Sequence, residues 1–367
     1  MAFKKNVIKV DLCSYPPYVI MGEPKSGKST LFRDLVLHNY GKEECGLLIS
    51  FKDEDGYLAL DKLQFEKTIE WNADEDEETG LRGFTQIVDD LVENKKEYDI
   101  KMIAFDTYDK LVEMAIAEVL RQHKKEKGTP CKSINDALGG YGKGRDYLLE
   151  IILKQIGRLR GAGYAIFILA HTKFKEKTDP LTGDTYEQLT NNLRADYYNA
   201  IANIAQMITN ITVEREVKEG KQVGEKRVIY FRSNGIVDAG GRFANLPEKL
   251  LLSAENFMEA FNVGVKSSFI GGVTDKVIEK QKKAEVKEIA SAADIAWKKE
   301  QAEIQQELAQ DDVAEFITII QSKYPKAQDD IKDAVKVIMT EYSIANFKSP
   351  ETLSVEGLKK IVEVLNK

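Results

Sequence analysis

The chain has 367 residues, more than one compact domain usually needs, so a large domain and a smaller companion are expected. Hydrophobic residues make up 43% and charged residues 31%, which permits a sizeable core; a net charge of −7 excludes a surface coated in base but leaves room for a local basic groove. No run of about 20 apolar residues occurs, which excludes a membrane-spanning helix.

The N-terminal string MAFKKNVIKVDL lacks the apolar run of a signal peptide. An apolar run at 18–21 ends at Gly22, and residues 31–37 have helical character. GLLISF at Gly46–Phe51 is a buried-type strand, and residues 83–94 carry helical amphipathic spacing. KMIAF at 101–105 is a second buried strand, with a helix following to about Gln122. A helix over 146–159 leads into the apolar strand YAIFILA at 164–170. Residues 207–216 and 226–232 read as later strands joined by a turn at 218–224, an antiparallel extension of the sheet. The alternation predicts an α/β fold, a mostly parallel sheet flanked by helices. The division is then 1–265 core, 266–310 charged helical linker and 311–367 small helical C-terminal domain, with apolar positions Phe316, Ile319, Ile320, Val335, Ile338 and Met339. Cys13, Cys45 and Cys131, and His38, His123 and His171, have neither metal nor redox spacing, which reads as a reducing, cytoplasmic compartment.

The densest chemistry is Gly22, Glu23, Pro24, Lys25, Ser26, Gly27, Lys28, Ser29 and Thr30, which matches G-x-x-x-x-G-K-[ST] without a mismatch. Its glycines let the backbone curl so that N–H groups face phosphate oxygens, and the helix starting near Lys28 adds its N-terminal dipole. Lys28 is placed to reach the β- and γ-phosphates and Ser29 to ligate Mg²⁺. Lys25 is either a second phosphate contact or a solvent-facing loop lysine.

Such a loop needs a carboxylate at a nearby strand end. Asp106, which ends KMIAFD, is the candidate for the Mg²⁺ shell; it or Thr107 also suits a helix N-cap. GLLISF runs into Lys52-Asp53-Glu54-Asp55-Gly56, which offers Glu54, and next Asp53, to orient or deprotonate water. His171 follows YAIFILA, either facing the γ-phosphate or simply ending the strand. Asn94-Lys95-Lys96-Glu97 resembles a guanine-reading NKxD only loosely, follows a helical pattern and reads as a solvated helix end, which leaves ATP as the nucleotide.

This order of elements resembles the RecA family, and most of all the phage-encoded RecA-like ATPases of recombination and single-strand annealing. LGGYGKGRDYL at 138–148, FILAHTK at 167–173 and RSNGIVDAGGRFANLPEKL at 232–250 carry the resemblance, which covers roughly 15–265. It implies a RecA-like P-loop core using ATP and Mg²⁺, working as a homo-oligomer, filament or ring, in the host cytoplasm. ATP would lie between subunits, with Arg242 or Arg232 completing a neighbour's site. The sequence departs from RecA itself in carrying His171 where a glutamine switch is expected.

Residues 121–145 stand apart from the acidic whole. They hold Arg121, Lys124, Lys125, Lys127, Lys132, Lys143 and Arg145 against Glu126 and Asp136, with five glycines and Tyr141. A cationic, glycine-rich loop with an aromatic suits a single-stranded backbone and a stacked base, although a solvated helix end followed by a loop reads almost as well. The family places a DNA-lining loop here, and a second one at 173–196. After Arg242 there is no arginine, and residues 266–367 hold 16 Lys against 18 Asp and Glu. That tail suits a protein partner better than DNA. The expectation is a DNA-stimulated ATPase acting on single-stranded DNA. A helicase- or packaging-type motor and an ATP-gated scaffold working through the C-terminal helices are the alternatives.

Overall fold

The apolar runs of the larger part of the chain pair into one mixed sheet. The structure, a computed structural model, describes residues 9–76, 78–218, 221–268, 316–344 and 354–366. It divides into two units, Met1–Asp275 and Lys276–Lys367.

Strand β1 (Tyr18–Gly22) pairs in parallel with β5 (Ala165–Thr178) on one side and β7 (Met207–Lys218) on the other. Beyond β5 lie β4 (Met102–Asp106), β2 (Gly46–Phe51) and the edge strand β3 (Gln64–Thr68), all parallel. Beyond β7 lie β8 (Lys221–Tyr230) and β10 (Lys249–Leu251), paired antiparallel. β6 (Thr185–Asn191) folds back on the outer half of β5, and β9 (Gly240–Gly241) pairs with the start of β7.

Helices α1 (Lys28–Tyr40) and α6 (Ala254–Ser267) cover one face; α2 (Phe84–Glu93), α3 (Tyr108–Lys127), α4 (Lys143–Gly161) and α5 (Ala195–Ala202) cover the other. Strand side chains alternate between the two cores. Tyr18, Ile20, Phe167 and Leu169 face α1 and α6, while Val19, Met21, Ile166 and Ile168 face the other layer, all fully buried. Stacking of Tyr18 on Phe167, with ring centroids 4.9 Å apart, fixes the middle of the sheet under Phe32 and Phe257. A second aromatic cluster, Phe51, Phe84 and Phe105, locks β2 and β4 to α2.

Several elements run past their apolar signal. β5 continues from Ala170 to Thr178 because its outer half is held by main-chain pairing to β6, whatever the polarity of its side chains. The ladder between β7 and β8 continues to Lys218↔Lys221, so the expected turn at 218–224 is tighter and β8 starts earlier. α3 continues to Lys127, where Gly128 ends it with a left-handed φ of 72°. α6 crosses the expected boundary at 265, with Val265 buried in the core and Ser253 capping its N-terminus.

In the second unit, residues 316–323 are helical, followed by helices Asp329–Glu341 and Val355–Leu365. Ile320, Val335, Ile344, Leu358 and Ile361 form its core, with Phe316, Ile319, Ile338 and Met339 packed around them. The expected linker at 266–310 lies outside the described residues, apart from 266–268.

Candidate nucleotide-binding site

β1 ends at Gly22 and α1 begins at Lys28, so the intervening loop sits at the carboxyl end of the central strand. Glycine is required at both ends of the loop. A Cβ on Gly22 would lie 2.5 Å from Ser26 Oγ and 3.1 Å from the Ile211 carbonyl oxygen, and Gly27 takes a φ of 106°. Lys28 Nζ donates to the Gly22 and Glu23 carbonyls, each at 3.0 Å, which closes the loop on itself. Burial pushes the Lys28 ammonium down from its ordinary value, opposed by the charges of Asp106, Asp109 and Glu54.

Ser29 Oγ donates to Asp106 Oδ2 at 2.7 Å. Asp106 is buried, and that burial raises its pKa while the Ser29 hydrogen bond and Lys28 oppose the shift. Asp106 does not occupy the N-cap position of α3. Thr107 holds the N-cap position of α3, but its hydroxyl makes no capping bond.

The loop opens on a cavity of about 520 Å³ lined by Lys25, Lys28, Ser29, Thr30, Glu54, Asp106, Thr107, His171 and Arg227, among others. The turn after β2 aims Glu54 into it. Lys52 adopts a left-handed φ of 55°, the Glu54 N–H donates to the Phe51 carbonyl at 3.1 Å, and the Ser50 hydroxyl donates to the Glu54 carbonyl. Half-burial, then the neighbouring Asp106, raises the Glu54 pKa. Asp53 turns the other way. It is exposed, outside the cavity lining, and ion-paired to Lys110 of α3 at 3.0 Å, a hydrogen bond that lowers its pKa.

His171 stands beside Gly22 in the β1–β5 register. Asp109 Oδ2 accepts its main-chain N–H at 2.9 Å and lies 3.7 Å from its Nδ1. Burial, then the charge of Lys28, lowers the imidazole pKa, which favours the uncharged ring.

Arg232 and Arg242 are exposed and outside this cavity; the Arg242 guanidinium donates to the Asn203 carbonyl. Lys124, Lys125, Lys127, Lys132 and Lys143 are exposed, and Tyr141 is fully so at 102%. Arg145 is paired with Asp196 at 3.6 Å. Lys95 departs from the solvated helix end expected of it. Its ammonium lies 3.4 Å from the centre of the Tyr164 ring and donates to the Ile100 carbonyl at 2.7 Å, and burial pulls its pKa down to about 8.

Pattern reading leaves Ser50, Asp109 and Arg227 unmarked. Asp109 had a faint signal as an acid in the first turn of α3, three residues after Asp106. Arg227 had none, because only the pairing of β8 with β7 carries it to the site.

A family model described as AAA domain matches residues 15–243. The chain belongs to this AAA-domain family. Comparison with curated proteins gives no match. An AAA domain is an ATPase-type P-loop domain that binds nucleotide, typically with Mg²⁺. The residues of this AAA domain fit both groups. Thr107 lines the cavity, and its Oγ1 is buried with no hydrogen-bond partner among the described residues, as expected of a group that meets a ligand. No set of three His, Cys, Asp or Glu among the described residues clusters to hold a metal alone. Ser29 and Asp106 would therefore hold Mg²⁺ together with phosphate oxygens, and the bound ion would neutralise charge on the phosphates.

Proposed function

We propose that this AAA-domain chain is an ATP-hydrolysing, RecA-like protein that acts on single-stranded DNA in phage recombination or repair, as a homo-oligomeric filament or ring. Lys28 holds the phosphates, Ser29 and Asp106 hold Mg²⁺, Glu54 orients the attacking water, and His171 faces the γ-phosphate.

One observation carries the DNA part of this reading. The Arg145–Asp196 ion pair ties the start of α4 to the segment that follows the β5–β6 hairpin. The two segments that suit DNA therefore share a root. On one side, Leu138, Gly139, Gly140, Tyr141 and Gly142 all have positive φ. Leu138 and Tyr141 hold that conformation against a cost of roughly 1–2 kcal/mol each, and it leaves the Tyr141 ring in solvent. On the other side, the hairpin exposes Phe174, Leu181 and Tyr186, with Lys173 and Lys177 interleaved with Glu176, Asp184 and Glu187. Exposed rings among cations suit stacked bases and a phosphate backbone. β5 joins the hairpin to the nucleotide site, since His171 is its last residue paired to β1 and Thr172 its first paired to β6.

Single-stranded DNA is expected to raise the ATPase rate at low salt, and the stimulation to fade as salt rises. Absence of stimulation by any nucleic acid at low salt rejects the DNA reading and leaves the ATPase standing.

The independent core of the C-terminal unit favours a second reading, an ATP-gated scaffold that acts through those helices. Deletion of 276–367 separates the two. DNA-stimulated hydrolysis that survives while biological activity is lost supports the scaffold; loss of the stimulation itself rejects it.

A further inference from the structure

We propose that Arg227 binds the phosphates of the nucleotide held by its own subunit, so that one cation of the site is supplied in cis from β8. This rests on the nucleotide-binding reading of the loop and goes beyond it, because arginine at this site was otherwise expected from a neighbouring copy.

Arg227 lines the same cavity as Lys25, Lys28, Ser29 and Glu54. Its Nη1 lies 3.9 Å from the point where a Cβ on Gly27 would stand. Gly27 is the residue from which the loop turns into α1, where main-chain N–H groups converge on phosphate. The main chain of Arg227 is well held. It faces Val213 in the β7–β8 ladder, its carbonyl accepts the Leu252 N–H at 3.0 Å, and the next two residues, Val228 and Ile229, are buried. Leu252 packs against the same side of Gly27, with Cδ2 3.3 Å from that Cβ position. The strand is thus fixed while the guanidinium remains exposed.

Among the described residues no carboxylate pairs with Arg227, although Glu54 and Asp106 line the same cavity. A planar guanidinium at a phosphate loop with no acid to neutralise it is suited to bidentate contact with phosphate oxygens. Arg232 and Arg242 lack this placement.

The test uses the full chain and three probes, Mg-ATP, Mg-GTP and inorganic tripolyphosphate, with affinities measured by calorimetry. Arg227→Ala is expected to weaken ATP and tripolyphosphate by a similar factor, about tenfold or more, and Arg227→Lys to restore part of the loss. Unchanged affinity in Arg227→Ala overturns the proposal. So does a loss for ATP that spares tripolyphosphate, which would place the side chain on the base. The two variants should melt like the wild type, since the side chain is exposed. Mixing Arg227→Ala with Lys28→Ala protein decides between cis and trans. No recovery of hydrolysis supports the cis assignment, and recovery hands Arg227 to the neighbour's site and overturns it. Should wild-type protein bind none of the probes, the nucleotide reading itself fails, a result distinct from any failure of Arg227.

Discussion

Replacing Lys28 with alanine is expected to cut ATP hydrolysis by about 10²–10³-fold, the scale on which loss of one preorganised donor to a developing charge is felt. The reason lies in where the ammonium sits. It is buried at the throat of the loop, bridges the Gly22 and Glu23 carbonyls, and faces Asp106, Asp109 and Glu54. An incoming triphosphate brings negative charge to a cation already desolvated, so the attraction is stronger than at an exposed lysine. Removal leaves those acids facing the phosphates without their main counter-charge. The fold should survive, because the core on either face of the sheet does not use this side chain. A steady-state ATPase assay with a thermal melt as control checks this. Near-normal hydrolysis in folded Lys28→Ala protein would reject the site.

The second large effect is at Glu54. Glu54→Gln keeps the shape and removes the charge, so ATP is expected to stay bound while turnover falls by about 10²–10⁴-fold, the range for loss of a general base. Asp53→Asn is the matched control and should leave turnover nearly unchanged, because Asp53 is exposed and tied to Lys110. The pH profile adds an independent reading. Burial and Asp106 raise the Glu54 pKa, so its carboxylate takes up a proton at a higher pH than an ordinary glutamate. A base must be ionised to act. Turnover of the wild type therefore drops as pH falls through that raised value, and this acid limb should vanish in Glu54→Gln. Equal loss in the two variants would show that the acidic turn acts as a whole rather than through one aspect of it.

The phosphate loop was legible because it is local: glycines, lysine and serine are contiguous, and the strand before and the helix after are marked by their own apolar patterns. Asp106 was legible for the same reason, at the end of a fully buried run. The choice between Glu54 and Asp53 was not. Both follow β2, and what separates them is the left-handed Lys52 and a lysine that reaches back from position 110. Arg227 is further still from any sequence signal, since its place depends on β8 lying beside β7 and β7 beside β1. In the fold, the buried strands were plain, while β3 and β6 were hidden. QFEKT and TYEQLTN are too polar to read as strands, and only main-chain pairing at an edge or in a hairpin makes them so. α6 carried an unused signal, with Ser253 ahead of Phe257, Phe261 and Val265 at four-residue steps.

The placing of β5 between β1 and β4 has a geometric result. Gly22 and Asp106 end strands that are not neighbours, so two inter-strand steps, about 9.5 Å, stand between them. The spacing between those two strand ends is thus set by the lattice of peptide hydrogen bonds, while the side chains of the lining only narrow the space above it. Exchange of one buried aliphatic group for another beneath the sheet would alter stability yet leave that spacing unchanged.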